Sequence, residues 1–271
     1  MSRKKFHTFD FLRFFAFLKV FLLHLPIVAF PFFNFLKAGG EIGVYFFFSL
    51  SGFLITYILL WEKKETESIQ IRNFMFRRIL RIWPLYYVMI VFAFLTPKIL
   101  ELLNLSSSSE GYVPNWWVSI FFMENYKMIF SDSFPNTSPL RVMWSLCVEE
   151  HFYIIWGLSI YFLKRKNVPF LIIGAILLAN ISRILFFTNG LPFLDLLTNF
   201  DYFAFGAIPA LLLVNSEEKL LNKIKEIPLR LKYIALALSI TYITLSPTSI
   251  LHIRFLLTQL FMESFFARLF S

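Results

Sequence analysis

The chain reads as continuous apolar runs separated by short polar stretches, with little of the two-residue alternation that marks half-buried strands. Runs at 9–32, 42–61, 82–103, 142–163, 168–187, 200–214, 233–251 and 255–270 approach the roughly 20 apolar residues that cross a hydrocarbon core. Unbroken runs argue against a β-barrel, whose strands alternate lipid-facing and lumen-facing residues. The pattern predicts an all-α, polytopic transmembrane helical bundle of about seven to eight spans, forming a single domain over residues 1–271. Residues 62–81 read as a hydrophilic connection. The run at 82–103 reads as a span with Pro84 at its start, where a missing backbone donor costs least. Inside the longer connection 104–141, residues 116–130 are apolar but interrupted by Glu124, Asn125 and Lys127. That stretch reads as re-entrant or interfacial, held by Trp116, Trp117 and Tyr126. Residues 215–232 read as an amphipathic piece outside the bilayer.

Composition agrees: the chain is 58% hydrophobic, above the range of soluble domains. Charge then orients it. Arg3, Lys4 and Lys5, the basic residues of 62–81, Lys164 to Lys166, and Lys219, Lys223, Lys225 and Arg230 all fall on one side. Positive-inside bias makes that side, and the N-terminus, cytoplasmic in a multi-pass inner (plasma) membrane protein. Counting 116–130 as a full span would put Lys164, Arg165 and Lys166 outside, against the bias. The net charge of +9 thus speaks for orientation in a lipid bilayer, with no nucleic-acid partner. The single Cys147 excludes an internal disulfide framework and a cysteine metal cluster, and no metal site is expected. The first run carries charges and has no small-residue cleavage site, so it reads as a span rather than a cleaved leader.

Candidate chemistry lies where charges enter apolar runs. The first run holds Asp10, Arg13, Lys19 and His24, and each charge costs roughly 2.5–3.5 kcal/mol at mid-bilayer on the insertion scale. Arg13 and His24 share one helical face, about 16 Å apart along the axis, and Asp10 has i, i+3 spacing to Arg13. Asp10 and Arg13 also suit interfacial anchoring, and Lys19 lies at another azimuth with no assigned role. In the second run Gly43, Ser49, Ser51 and Gly52 allow close helix approach. Ser51 and Gly52 read first as packing positions and are kept as supporting candidates, since no Gly-x-Ser-x-Gly elbow marks a serine nucleophile. Arg77, Arg78 and Arg81 form a compact guanidinium patch at the cytoplasmic mouth of the third span, suited to phosphate or to anionic lipid. Trp144 to Tyr153 brings Glu149, Glu150 and His151 near the start of a span entering from outside. Helix counting puts Glu149 and His24 in the same outer half. A carboxylate bonded to one ring nitrogen would raise the basicity of the other and make a general base.

These stretches resemble the integral-membrane acyltransferase-3 family. They are Phe9-Asp10-Phe11-Leu12-Arg13 with His24 eleven positions on; Gly43-Val44 through Phe53; Arg77-Arg78-Ile79-Leu80-Arg81-Ile82-Trp83-Pro84; and Trp144 through Tyr153. They stand in family order, and Thr198-Asn199-Phe200-Asp201 followed by Gly206 is a weaker fifth match. The resemblance implies transfer of an acyl group, usually acetyl from cytoplasmic acetyl-CoA, to a hydroxyl of an envelope glycan or lipid-linked sugar. Acetyl-CoA would be a donor substrate, with no bound cofactor. By the resemblance His24 is the catalytic base and Glu149 completes the site. Arg13, Arg77, Arg78 and Arg81 hold the donor, and Asp10, Ser51, Gly52, Trp144 and Asp201 support them. Two departures stand out: Asn199 replaces a common arginine, and members usually carry more spans, so C-terminal spans are expected to be missing. A proton-coupled transporter or flippase-like protein relaying protons through Arg13, His24 and Glu149 is the alternative, as is an inactive truncated acyltransferase.

Overall fold

The computed structural model describes residues 8–24, 40–105, 110–231 and 234. The end of the first expected span, and all but residue 234 of those at 233–251 and 255–270, lie outside the described residues. The described residues form helices α1 (Thr8–His24), α2 (Glu41–Thr66), α3 (Ile71–Leu102), α4 (Trp116–Ile120), α5 (Glu124–Ser131), α6 (Ser138–Arg141), α7 (Trp144–Phe162), α8 (Val168–Thr188) and α9 (Leu196–Glu226). They contain no strand, only an isolated bridge between Tyr112 and Pro135. Four helices are long and apolar enough to cross a membrane: Glu41–Thr66, Ile71–Leu102, Arg165–Thr188 and Leu196–Ser216. The seven to eight expected spans are not reached among the described residues. At 19 residues α7 has the length, but Glu149, Glu150 and His151 dilute its apolar content.

Helix ends differ from the expected boundaries. The connection read at 62–81 shrinks to 67–70, because α2 continues to Thr66 and α3 begins at Ile71. Lys, Arg and Glu are good helix formers, so charge ends the apolar run without ending the helix. Pro84 consequently stands inside α3, as does Pro97, and not at a helix start. Likewise α9 runs from Leu196 to Glu226 through the expected break at 215, with only a kink at Ser216. The stretch at 116–130 is two short helices, α4 and α5, separated by a turn with Phe122 at φ 58°.

Contacts divide the chain into two compact units, Met1–Glu65 with Tyr202–Ser271, and Thr66–Asp201. In the first unit, glycine sets how closely helices approach. A methyl group on Gly52 would strike the Phe203 carbonyl, and one on Gly206 the Ser49 carbonyl, so α2 and α9 meet backbone to backbone. The contact aligns stacked pairs Phe48–Phe203 at 4.7 Å and Tyr45–Tyr202 at 4.3 Å. It also lets Ser49 Oγ donate to the Tyr202 carbonyl at 2.9 Å. At its end Lys64 Nζ donates to the Val214 carbonyl at 2.8 Å. Gly43 plays the same part against Ala16 and Val20 of α1.

The second unit is built on α3 and α7 running antiparallel. Gly157 admits Phe74 and Met75. Next along the pair, Arg78 meets Tyr153, Trp83 meets Glu150 and Tyr86 meets Cys147, each step up α3 matched by one down α7. Beyond Trp144 the second half of α3 is lined by α4, the turn after it and α6: Phe122 stacks on Tyr86, Trp116 on Phe94, and Leu140 joins the core of Tyr86, Ile90 and Ala93. Phe152 and Trp156 on another side of α7 hold Phe200 of α9.

Replacing Gly52 or Gly206 by Ala should destabilise the protein by about 1–3 kcal/mol or more, as overpacking against an immovable carbonyl does. A lowered unfolding temperature of the purified protein in detergent checks this; Gly174→Ala, where a methyl group meets nothing within 4 Å, is the neutral control.

Candidate functional site

Within the first unit, α1 carries Asp10, Arg13, Lys19 and His24 on one continuous helix. The seam of α1 against α2 passes through Ala16 and Val20. Arg13, half-buried, and His24, exposed, lie beside that seam at nearly one azimuth. His24 Nδ1 is 2.8 Å from the Val20 carbonyl one turn earlier. A carbonyl has no proton to give, so this bond puts the ring proton on Nδ1 and leaves the Nε2 lone pair available in the neutral ring. The tautomer needed of a base at Nε2 is therefore supplied by α1 itself. Ser51 is half-buried on α2, and Gly52 is the packing glycine described above.

Within the second unit the arginine motif and the carboxylate motif come together. Arg78 is half-buried with its guanidinium carbon 5.7 Å from the Phe74 ring centre and 5.6 Å from that of Tyr153. Tyr153 donates to Glu149 Oε2 at 2.6 Å, a link between residues one turn apart on α7. Trp83 Nε1 donates to Glu150 Oε2 at 3.2 Å, and Arg78 lies within electrostatic reach of the same carboxylate. Trp144, half-buried, opens α7. The expected three-arginine patch is divided: Arg78 turns toward α7, while Arg77 and Arg81, about 40° apart in azimuth, are exposed. Helix counting separated Glu149 from the arginines by most of a membrane. The register corrects this: Arg78 meets Tyr153 and Trp83 meets Glu150, so Glu149 lies about one helical turn from the level of Arg78. His24 and Glu149 belong to different units, and each is placed within its own.

The sequence matches the acyltransferase domain family over residues 6–268. The chain belongs to that family. Over 183 residues it is 40% identical to the peptidoglycan O-acetyltransferase OatA of Listeria monocytogenes, covering 65% of this chain and 28% of the relative. A putative peptidoglycan O-acetyltransferase, YrhL of Bacillus subtilis, is 41% identical over 169 residues, 58% of this chain and 24% of the relative. The O-acetyltransferase OatA of Staphylococcus aureus is 33% identical over 138 residues, 49% of this chain and 22% of its own length. The chain thus spans about a quarter of the length of the curated relatives it matches. No solved structure matches it.

Four features of this acyltransferase domain go beyond the roles that the sequence assigns. Glu150 is more deeply buried than Glu149, and its Oε1 has no hydrogen-bond partner among the described residues. Trp83 and Tyr153, to which the motifs assign no role, are the groups that tie those motifs together. A buried network surrounds Glu124, whose Oε1 accepts from Tyr112 at 2.5 Å and Oε2 from Ser119 at 2.7 Å, while Tyr86 donates to the Ser119 carbonyl at 2.7 Å. Burial first, and the bonded Glu124 carboxylate second, push the Tyr112 phenol up, so it stays a donor. Finally Arg183 of α8 holds Asp201 of α9 through two bonds of 2.6 and 2.5 Å, both side chains almost wholly buried. Asp201, expected as a supporting site residue, thus spends both carboxylate oxygens on Arg183. The signal was present: an arginine in an apolar run needs an acid.

Breaking this pair from one side strands a buried charge and should cost about 3–5 kcal/mol, whereas removing both charges with apolar side chains of similar size should cost far less. Unfolding temperatures of Arg183→Met, Asp201→Leu and the double variant check it. A double variant no more stable than either single one would refute a purely pairwise role.

Proposed function

We propose that this chain is a membrane O-acyltransferase that moves an acetyl group from acetyl-CoA to a hydroxyl of peptidoglycan, the polymer named for its relatives. The observation that carries the reading is the meeting of two family motifs in the second unit. Arg78 is held by Tyr153, and Tyr153 holds Glu149, at the mouth of the helix that bears Arg77 and Arg81. Exposed guanidinium forks at Arg77 and Arg81 suit the donor's phosphates, while Arg78 sits inward against Phe74 and Tyr153. Arg13 would assist on α1, beside His24.

In the reaction, the acceptor hydroxyl attacks the thioester carbonyl while His24 Nε2 takes its proton. The carbon–sulfur bond then breaks, and the imidazolium returns the proton to the departing thiolate. The Nδ1–Val20 bond supports this role by holding the ring in the required tautomer. A full bundle of seven to eight spans with the N-terminus in the cytoplasm would set the arginine end of α3 on the side where acetyl-CoA is made. Peptidoglycan lies across the membrane, so the acyl group must be passed outward through the protein.

Proteoliposomes carrying the full chain, supplied with labelled acetyl-CoA and peptidoglycan saccharides, test the reading. His24→Ala should lower acetyl transfer by about 10²–10⁴-fold, the range for loss of a general base. Arg78→Lys should recover only part of what Arg78→Ala loses, since lysine keeps the charge but not the guanidinium fork held over Phe74 and Tyr153. Wild-type protein without transfer, or a His24→Ala variant as fast as wild type, would refute the proposal.

A further inference from the structure

Outside the residues assigned above, the second unit holds a second polar cluster. Asn125 at the start of α5 is fully buried, and its Nδ2 donates to the Leu194 carbonyl at 3.1 Å. Its Oδ1 is buried and accepts nothing among the described residues. His151 of α7 faces the same segment, its ring 5.4 Å from that of Tyr126. Both ring nitrogens of His151 are buried and make no hydrogen bond among the described residues; the Phe122 backbone approaches the ring without bonding geometry. Asp195 lies within electrostatic reach of both Tyr126 and His151. Its carboxylate, however, is occupied by the Leu197 and Thr198 amides and the Thr198 hydroxyl at the start of α9.

We propose that Asn125, Tyr126 and His151 form a subsite for a neutral amide- or hydroxyl-bearing group of a substrate. The proposal rests on the acyltransferase reading for what the substrate is, but not for its geometry. An idle amide oxygen and an imidazole offer two acceptors and one donor when the ring is neutral. A sugar hydroxyl pair or an N-acetyl group complements that set, giving N–H or O–H to Asn125 and taking the imidazole proton. The flat rings of Tyr126 and His151 suit the apolar face of such a group. Among the described residues the cluster holds no arginine or lysine, and Asp195 repels anions, so phosphate is the wrong ligand. His151 is half-buried, which places the cluster against the surface of the unit. Two sources carry this chemistry here: the N-acetyl sugar of the acceptor and the amide arm of the CoA donor.

Binding to the purified full chain in detergent, read by calorimetry, tests the subsite independently of turnover. The probes are diacetylchitobiose, a neutral N-acetyl disaccharide, and coenzyme A. His151→Phe keeps a ring against Tyr126 and removes both nitrogens. It should weaken one probe by about tenfold or more, the value of a lost hydrogen bond, and leave the unfolding temperature unchanged or raised. His151→Gln, which restores a donor and an acceptor, should recover part of the affinity, and Asn125→Leu should weaken the same probe. Weaker disaccharide binding assigns the subsite to the acceptor, and weaker coenzyme A binding to the donor arm. Unchanged affinity for both probes in all three variants, or no wild-type affinity for either, overturns the proposal. Wild-type binding without acetyl transfer would sink the enzymatic reading while leaving the subsite standing.

Discussion

The close antiparallel contact of α3 with α7 is the interaction on which the second unit depends. In lipid there is no hydrophobic drive between apolar helices, so association rests on packing and on hydrogen bonds between them. Gly157 supplies the first by letting Phe74 and Met75 come close, and Trp83 to Glu150 supplies the second. Together they fix the register. A slip of one turn, about 5.4 Å, would take Arg78 from Tyr153, Trp83 from Glu150 and Tyr86 from Cys147 at once. Register is therefore not a detail of packing here: it is what brings Arg78 to Tyr153 and Trp83 to Glu150.

The same constraint explains the segment between α3 and α7. Non-helical backbone beside a membrane helix is tolerated only where protein satisfies its polar groups. Asn115 accepts from the Trp117 amide, Ser119 and Tyr112 saturate Glu124, and Arg141 donates to the Pro135 and Glu110 carbonyls. The aromatic residues of α4 and the turn after it then stack on α3. Against this dense bonding, the buried atoms of Asn125, Glu150 and His151 that bond nothing among the described residues stand out. The exposed face of α3, with Leu85, Val88 and Phe92, needs no such provision, since lipid is its solvent.

Charge in the interior follows two patterns. Arg183 and Asp201 neutralise each other completely and so build structure. Arg78 is treated differently: it is stacked between two rings and shares electrostatic reach with Glu150, while Arg77 and Arg81 on the same helix stay exposed. The first arrangement leaves nothing over for a ligand. The second leaves Arg77 and Arg81 exposed beside a family motif, and that difference is why the arginine motif, and not the more deeply buried ion pair, carries the functional proposal.

The sequence alone determined that the described chain is helical and apolar, and placed one helix closely: the run at 168–187 and helix Val168–Thr188 nearly coincide. A segment in lipid must satisfy its own backbone, so its length and composition decide its state. Sequence also displayed the family motifs, because each is a contiguous string. It misplaced Pro84 and the 62–81 connection, since charge marks where lipid ends and not where a helix ends. Tertiary structure decided the rest. Whether Glu149 or Glu150 is buried, which arginine turns inward, and that Arg183 finds Asp201 all depend on the azimuth of one helix against another. A linear pattern gives the period of a helix but not the direction it faces, and only packing fixes that direction.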